Sequence, residues 1–203
     1  IVWKRLVMTS KKNIKAMGIS GIITLILVFL DQITKYLVVI NLTGKSPIEI
    51  IKNVFELRYL ENQSAAFGVD IISIIQRIFD ISYFNDNPDA FLKCKMIFFA
   101  IFTIIVICLL IWIYYKVPTN RHFAYLNIAL VLFIAGAIGN LIDRIINNYV
   151  VDFLYVKLIN FPIFNVADIY VTIGAFMFII LGLFYYKESD FETIFSKKKE
   201  DQT

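Results

Sequence analysis

Four apolar runs, each of about 20 residues or more, constrain this chain more than any other feature. They cover residues 18–40, 91–115, 122–143 and 164–186. A helix needs roughly 20 residues to cross about 30 Å of hydrocarbon, and in lipid each spanning segment must satisfy its own backbone polar groups. The runs therefore predict an all-α membrane protein with four transmembrane helices. Hydrophobic residues make up 59% of the 203, above the roughly 45–50% of an ordinary soluble domain, and the excess is concentrated in the runs. The first run has no small-residue cleavage pattern after it, so a retained anchor is expected rather than a removed signal peptide.

Orientation follows from Lys and Arg near the span ends. Residues 1–17 carry Lys4, Arg5, Lys11, Lys12 and Lys15 and no acid. The turn between spans two and three carries Lys116 and Arg121, again without an acid. Loop 41–90 has four basic residues against seven acidic ones, and loop 145–163 has one of each, Lys157 and Asp152. Basic and non-basic segments alternate, which places both termini in the cytoplasm. The expected organisation is a cytoplasmic N-terminal segment, 1–17, a single four-helix membrane domain, 18–186, and a cytoplasmic tail, 187–203. The tail mixes Lys197, Lys198 and Lys199 with five acids and is expected to be disordered.

Two pieces of loop 41–90 carry a pattern. Residues 47–61 alternate Phe55, Leu57 and Tyr59 against Glu56 and Arg58, the signal of a half-buried strand. Residues 71–79 place Ile71, Ile74, Ile75 and Ile78 at helical spacing, which predicts a short amphipathic helix on the outer membrane surface.

Polar residues inside the runs are informative because each one is costly there. Asp31 and Lys35 stand one helical turn apart in the first span, a spacing that predicts an ion pair. The third span ends in AGAIGNLIDR, with Asn140, Asp143 and Arg144 at its outer mouth. Gly136 and Gly139 thin one side of that helix for close approach by another helix or by substrate. Asp152 follows in a loop, within VVDF, and Asp168 falls in the first turn of span four, where Asn165 can cap the helix.

The alternating topology brings Asp143, Asp152 and Asp168 to the same outer boundary, with Asn62, Asn140, Asn165 and Arg144 at hand. Two neighbouring carboxylates cannot both ionise cheaply, so one keeps a proton. That pairing supplies a base for water and an acid for a leaving amine. Asp143 is followed directly by Arg144, which predicts a structural salt bridge at the helix end. Asp152 has no opposite charge within four residues and Asp168 none within ten. No metal is implied: the one histidine, His122, excludes HExxH and multi-histidine zinc sites and is expected to be an interfacial residue. Cys94 and Cys108 are 14 residues apart on one helix, about 21 Å, too far for a disulfide.

The segments DQITK (31–35), ENQSAAFG (61–68), GNLIDR (139–144), VVDF (150–153) and FNVAD (164–168) together resemble the lipoprotein signal peptidases, bacterial signal peptidase II. Order, spacing and membrane placement agree over roughly residues 18 to 186. The resemblance implies four helices with a small extracytoplasmic β-cradle and an interfacial helix. It implies an aspartyl endopeptidase with Asp152 and Asp168 as the catalytic dyad and no cofactor or metal. Asp31, Lys35, Asn62, Asn140, Asp143, Arg144 and Asn165 would be supporting or substrate-contacting. The implied substrates are diacylglyceryl-prolipoproteins, cut on the amino side of the lipidated cysteine near the outer face of the bacterial cytoplasmic membrane. Membrane lipids and globomycin-type cyclic peptide inhibitors are the other implied partners. Nucleic acid is not among them, and a monomer is expected. Two departures stand out: Ser64 occupies a position where the family commonly has Gly, and segment 70–90 is long and lacks the tryptophans often found there.

Two other readings fit parts of the pattern. A transporter relaying protons through carboxylates would place polar residues at several depths, whereas these cluster at one end. A non-catalytic relative would be expected to lack one of the two dyad carboxylates, and both are present.

Overall fold

The computed structural model describes residues 13–64, 76, 84 and 86–195. Four long helices carry the apolar runs: α1, Ile14–Leu42; α2, Pro88–Lys116; α3, Ala124–Asn147; and α4, Val166–Ile180, which continues as a π-helical turn, Leu181–Tyr185. All four are long and apolar enough to cross a bilayer. Local chemistry sets their ends. The Asn13 side chain accepts from Lys15 N at the start of α1, Pro88 opens α2, and Asn148 closes α3 in the left-handed conformation.

Helix α3 is the axis of the bundle, packed against α1, α2 and α4. It carries more of the buried apolar core than the other helices, with Ala129, Leu130 and Ala135 fully enclosed. The outer faces of α1 and α2 remain bare, with Leu25, Phe29, Phe102 and Ile105 more than half exposed. Cys94 and Cys108 are free thiols on the exposed side of α2. A belt of unpaired apolar side chains around a polar-centred bundle is the packing of a multi-pass membrane protein.

A three-stranded antiparallel sheet caps one end of the bundle: β1, Ile48–Ile51; β2, Phe55–Asn62; β3, Val150–Val156. The single strand expected over 47–61 is a hairpin instead, because Asn53 takes a left-handed turn (φ 59°). The alternation within β2 also differs from expectation. Glu56 is the buried residue, 2% exposed, where it meets Arg58 (2.5 Å) and Lys157 (3.3 Å). The interfacial helix expected over 71–79 lies outside the described residues apart from Gln76.

The tail departs from expectation over its described residues, 187–195, and 196–203 lie outside them. A fifth helix, α5, Glu188–Phe195, folds back on the end of the bundle away from the sheet. Its Ile194 is buried among Tyr114, Phe123, Leu126 and Leu181, and the Phe195 ring lies 6.1 Å from that of Trp112. His122 stacks on Tyr185 and bonds to Asp190 at 2.9 Å. The acids and lysines that suggested disorder leave Phe191, Ile194 and Phe195 on one helical face, and that face drives docking.

Candidate active site

The polar residues of α1, α3, β3 and α4 meet where the bundle joins the sheet. Asp152, expected in a loop, lies on β3 opposite Leu60 of β2. The strand reads as a near-continuous apolar run, so its buried polar position is the exception: Asp152 is 1% exposed. Asn62, at the end of β2, donates to Asp152 Oδ2 at 2.7 Å. The Asn62 amide is held in that sense by the backbone N–H of Ser64, which donates to Asn62 Oδ1 at 2.8 Å. The contact uses only the main chain of Ser64, so serine serves there as glycine would.

Asp168 enters from the first turn of α4. Asn165 and Asp168 form a capping box: Asp168 N donates to Asn165 Oδ1 at 3.0 Å, and Asn165 N donates to Asp168 Oδ2 at 3.1 Å. The other end of the Asn165 amide donates to Asp152 Oδ1 at 2.6 Å and to Asn140 Oδ1 at 3.0 Å. Asn140 in turn donates to Asp168 Oδ1 at 2.8 Å. Two asparagines thus tie the two carboxylates into one network. Burial pushes the Asp152 carboxyl up to about 7, the Asp168 charge adds to the rise, and amide bonds from Asn62 and Asn165 restrain it.

Asp31, Lys35 and Asp143 form a second layer beneath. Lys35 pairs with Asp31 at 2.9 Å, as the spacing predicts, and with Asp143 at 3.1 Å. The salt bridge expected between Asp143 and Arg144 is not the one formed. Consecutive helical side chains diverge, so Asp143 turns inward to Lys35. Arg144 reaches back to Asn140 O at 3.3 Å and lies over the Phe99 ring at 5.7 Å. Backbone amides complete the layer: Ala167 N donates to Asp31 Oδ1 at 2.8 Å and Val151 N to Asp143 Oδ2 at 3.0 Å. These two bonds pin the start of α4 and the start of β3 to α1 and α3, so the layer sets where Asp168 and Asp152 stand.

One member escaped the sequence reading. Gln32 Nε2 lies 3.1 Å from Asp31 Oδ2, Asp143 Oδ1 and Gly139 O. An amide beside Asp31 in an apolar span was the available signal. Gly136 and Gly139 serve helix approach: a Cβ at Gly136 would stand 2.5 Å from Ala167 O, and one at Gly139 would stand 2.5 Å from Asp31 Oδ2.

Above the carboxylates a cavity of about 500 Å³ runs between α2, α3 and α4. Asp152, Asp168, Asn62 and Arg144 line its polar end, and Phe102, Val106, Leu110 and Phe133 line the apolar remainder. The Arg144 Nε, though buried, has no hydrogen-bond partner among the described residues. Asp143 does not line the cavity. Among the described residues, no cluster of three or more His, Cys, Asp or Glu could hold a metal.

Fold and site define a multi-pass membrane protein with a hydrogen-bonded carboxylate pair at the polar end of a largely apolar cleft. The comparisons with known proteins give that class its family. Residues 23–184 match the family model described as signal peptidase (SPase) II. The chain is 39% identical over 162 residues to a lipoprotein signal peptidase of Caldanaerobacter subterraneus subsp. tengcongensis, covering 79% of this chain and 91% of that one. It is 36% identical over 174 residues to a lipoprotein signal peptidase of Clostridium tetani, covering 84% and 94%. A bacterial membrane enzyme solved by the in meso method at 2.3 Å superposes with a TM-score of 0.63 at 31% identity, covering 94% of this chain and 97% of that one. The chain belongs to the signal peptidase II family.

Proposed function

We propose that this chain is a membrane-embedded aspartyl endopeptidase that removes signal peptides from diacylglyceryl-prolipoproteins, with Asp152 and Asp168 as its dyad. The observation that carries the reading is a buried and a half-buried carboxylate, Asp152 and Asp168, joined through Asn140 and Asn165 and opening onto the cleft. Close carboxylates that share one proton both activate water and protonate a leaving amine. Arg144, with an unused buried donor beside them, is suited to a substrate carbonyl. The cleft is walled by apolar residues of α2, α3 and α4, which suits a lipid-anchored cysteine that presents its peptide bond from the bilayer, where local concentration replaces much of the binding problem.

The distribution of Lys and Arg supports cytoplasmic termini and a sheet end, with the dyad, near the outer face. Reporter fusions after Asn120 and after Asn160 test this, with cytoplasmic and external signals expected in turn.

The decisive experiment is cleavage of a synthetic diacylglyceryl-cysteine peptide by the purified protein. Asp152→Asn and Asp168→Asn are each expected to remove turnover while the protein stays folded. Near-normal cleavage by either variant would overturn the dyad.

A further inference from the structure

The two dyad carboxylates have unequal surroundings. Asp168 Oδ2 receives a backbone N–H, and Asp168 stands in the first turn of α4, where the helix dipole favours negative charge. Its Oδ1 receives the Asn140 amide. Asp152 lies mid-strand, in no helix's first turn, and among the described residues it receives the neutral side-chain amides of Asn62 and Asn165.

The Asn140 amide is further constrained from behind. Lys35 Nζ donates to Asn140 Oδ1 at 2.9 Å, and Asn165 Nδ2 donates to the same oxygen at 3.0 Å. An ammonium has no acceptor. A flipped Asn140 would set its NH₂ against Lys35 Nζ, so its Nδ2 must face Asp168. The ammonium also polarises the amide it touches, which strengthens the bond on the far side in this enclosed setting. Lys35 itself is 3% exposed and pairs with both Asp31 and Asp143.

We propose that Lys35, acting through the Asn140 amide, is the positioning residue that keeps Asp168 ionised as the base of the dyad and leaves the shared proton on Asp152. This rests on the reading of Asp152 and Asp168 as the dyad and assigns their roles. Asp168 takes a proton from water as the water oxygen bonds to the scissile carbonyl carbon, and Asp152 gives its proton to the carbonyl oxygen. The tetrahedral diol then returns a proton to Asp152, Asp168 protonates the amide nitrogen, and the C–N bond breaks. The dyad ends in its starting state, so no further reactant is needed.

The charged groups facing Asp168 are Asp31 and Lys35 from α1, Arg144 from α3 and Asp152 from β3, with Asp143 of α3 behind Lys35. Among the described residues, α2 brings no charge to the cleft. Of these two cations, Lys35 is the one that reaches Asp168 through the fixed Asn140 side-chain amide.

The test is the pH dependence of kcat and KM on the diacylglyceryl-cysteine peptide for the wild type, Lys35→Met and Asn140→Leu. Lys35→Met leaves Asp31 and Asp143 without their cation and is also made with Asp143→Asn. Asn140→Leu leaves the Lys35 ion pairs whole. In every variant the acid limb is expected to move up by about one pH unit, so kcat on that limb falls about tenfold, while KM changes less than about threefold. An unmoved acid limb in folded Asn140→Leu, or a loss confined to KM, would leave Lys35 a structural cation and overturn the proposal. A wild-type protein that does not cleave the peptide is a different result and overturns the dyad reading beneath it.

Discussion

Asn165 and Asp168 cap each other at the start of α4, and the same Asn165 amide donates to Asp152 at 2.6 Å. One side chain therefore starts a helix and joins the dyad. The two roles separate by substitution. Serine keeps a capping oxygen but cannot donate to both Asp152 and Asn140, whereas alanine loses both functions. Asn165→Ala is expected to cost about 1 kcal/mol of stability, and Asn165→Ser less. Turnover is expected to fall at least about tenfold in both, because Asp152 loses a buried donor. Thermal unfolding in detergent and peptide cleavage read the two effects. Full activity in Asn165→Ser would mean that the amide is only a cap.

Asp143 ranks apart from Asp152 and Asp168. Its carboxylate is committed to Lys35, Gln32 and Val151 N and is held away from the cleft. Asp143→Asn is expected to lower stability by about 1–3 kcal/mol, since it weakens a buried network, and to retain measurable cleavage. The Asp152→Asn/Asp168→Asn double variant is expected to be hardly worse than either single one, because the two act as a unit. An inactive, well-folded Asp143→Asn would reverse this ranking.

The spans and the polar residues at their mouths were legible because a bilayer penalises each polar side chain, so those present stand out. Partners were less legible. Lys35 finds Asp143 across the α1–α3 contact, and sequence adjacency instead suggested Arg144. The strand character of VVDF was hidden because the pairing partner β2 lies about 90 residues upstream. Glu56 is buried against an alternating pattern because Lys157 arrives from the far end of β3. The apolar face of α5 is local, but its docking depends on a groove shared by α2, α3 and α4, which the tail alone does not reveal.

The elevated Asp152 carboxyl gives two pH effects of definite sign. Asp152 titrates near 7 in the folded protein against an ordinary 3.8. The native state therefore holds a proton that the unfolded chain releases, and this contribution to stability is fully present below about 3.8 and lost as pH rises to about 7. The melting temperature is expected to fall across that interval in the wild type and less steeply in Asp152→Asn. Activity is expected to decline as pH rises through about 7, as the pair loses its shared proton. Asn62 stabilises the charged form of Asp152, so Asn62→Ala should move this alkaline limb upward. A downward shift would mean that Asn62 acts on something other than the Asp152 proton.

Glycines in α1 and α3 separate helix propensity from packing. Gly21 meets nothing within 4 Å of an added Cβ, so Gly21→Ala is expected to be neutral or to gain up to about 1 kcal/mol from helix propensity. Gly136 faces the Ala167 carbonyl at 2.5 Å and Val171 Cγ2 at 2.7 Å. An alanine there must push α4 away from α3, at about 1–3 kcal/mol. Gly139 faces Asp31 Oδ2 at 2.5 Å and Ala167 Cβ at 3.2 Å. Asp31 cannot yield freely, because Lys35, Gln32 and Ala167 N all hold it. Displacing it would shift Lys35 and, through Asn140, Asp168. Gly139→Ala is therefore expected to lose stability as Gly136→Ala does, and to lose more turnover per unit of stability lost. Parallel melting curves and cleavage rates for the three variants decide it. Equal turnover in Gly136→Ala and Gly139→Ala at equal stability would show that Asp31 sets the packing of the bundle and not the geometry of the site.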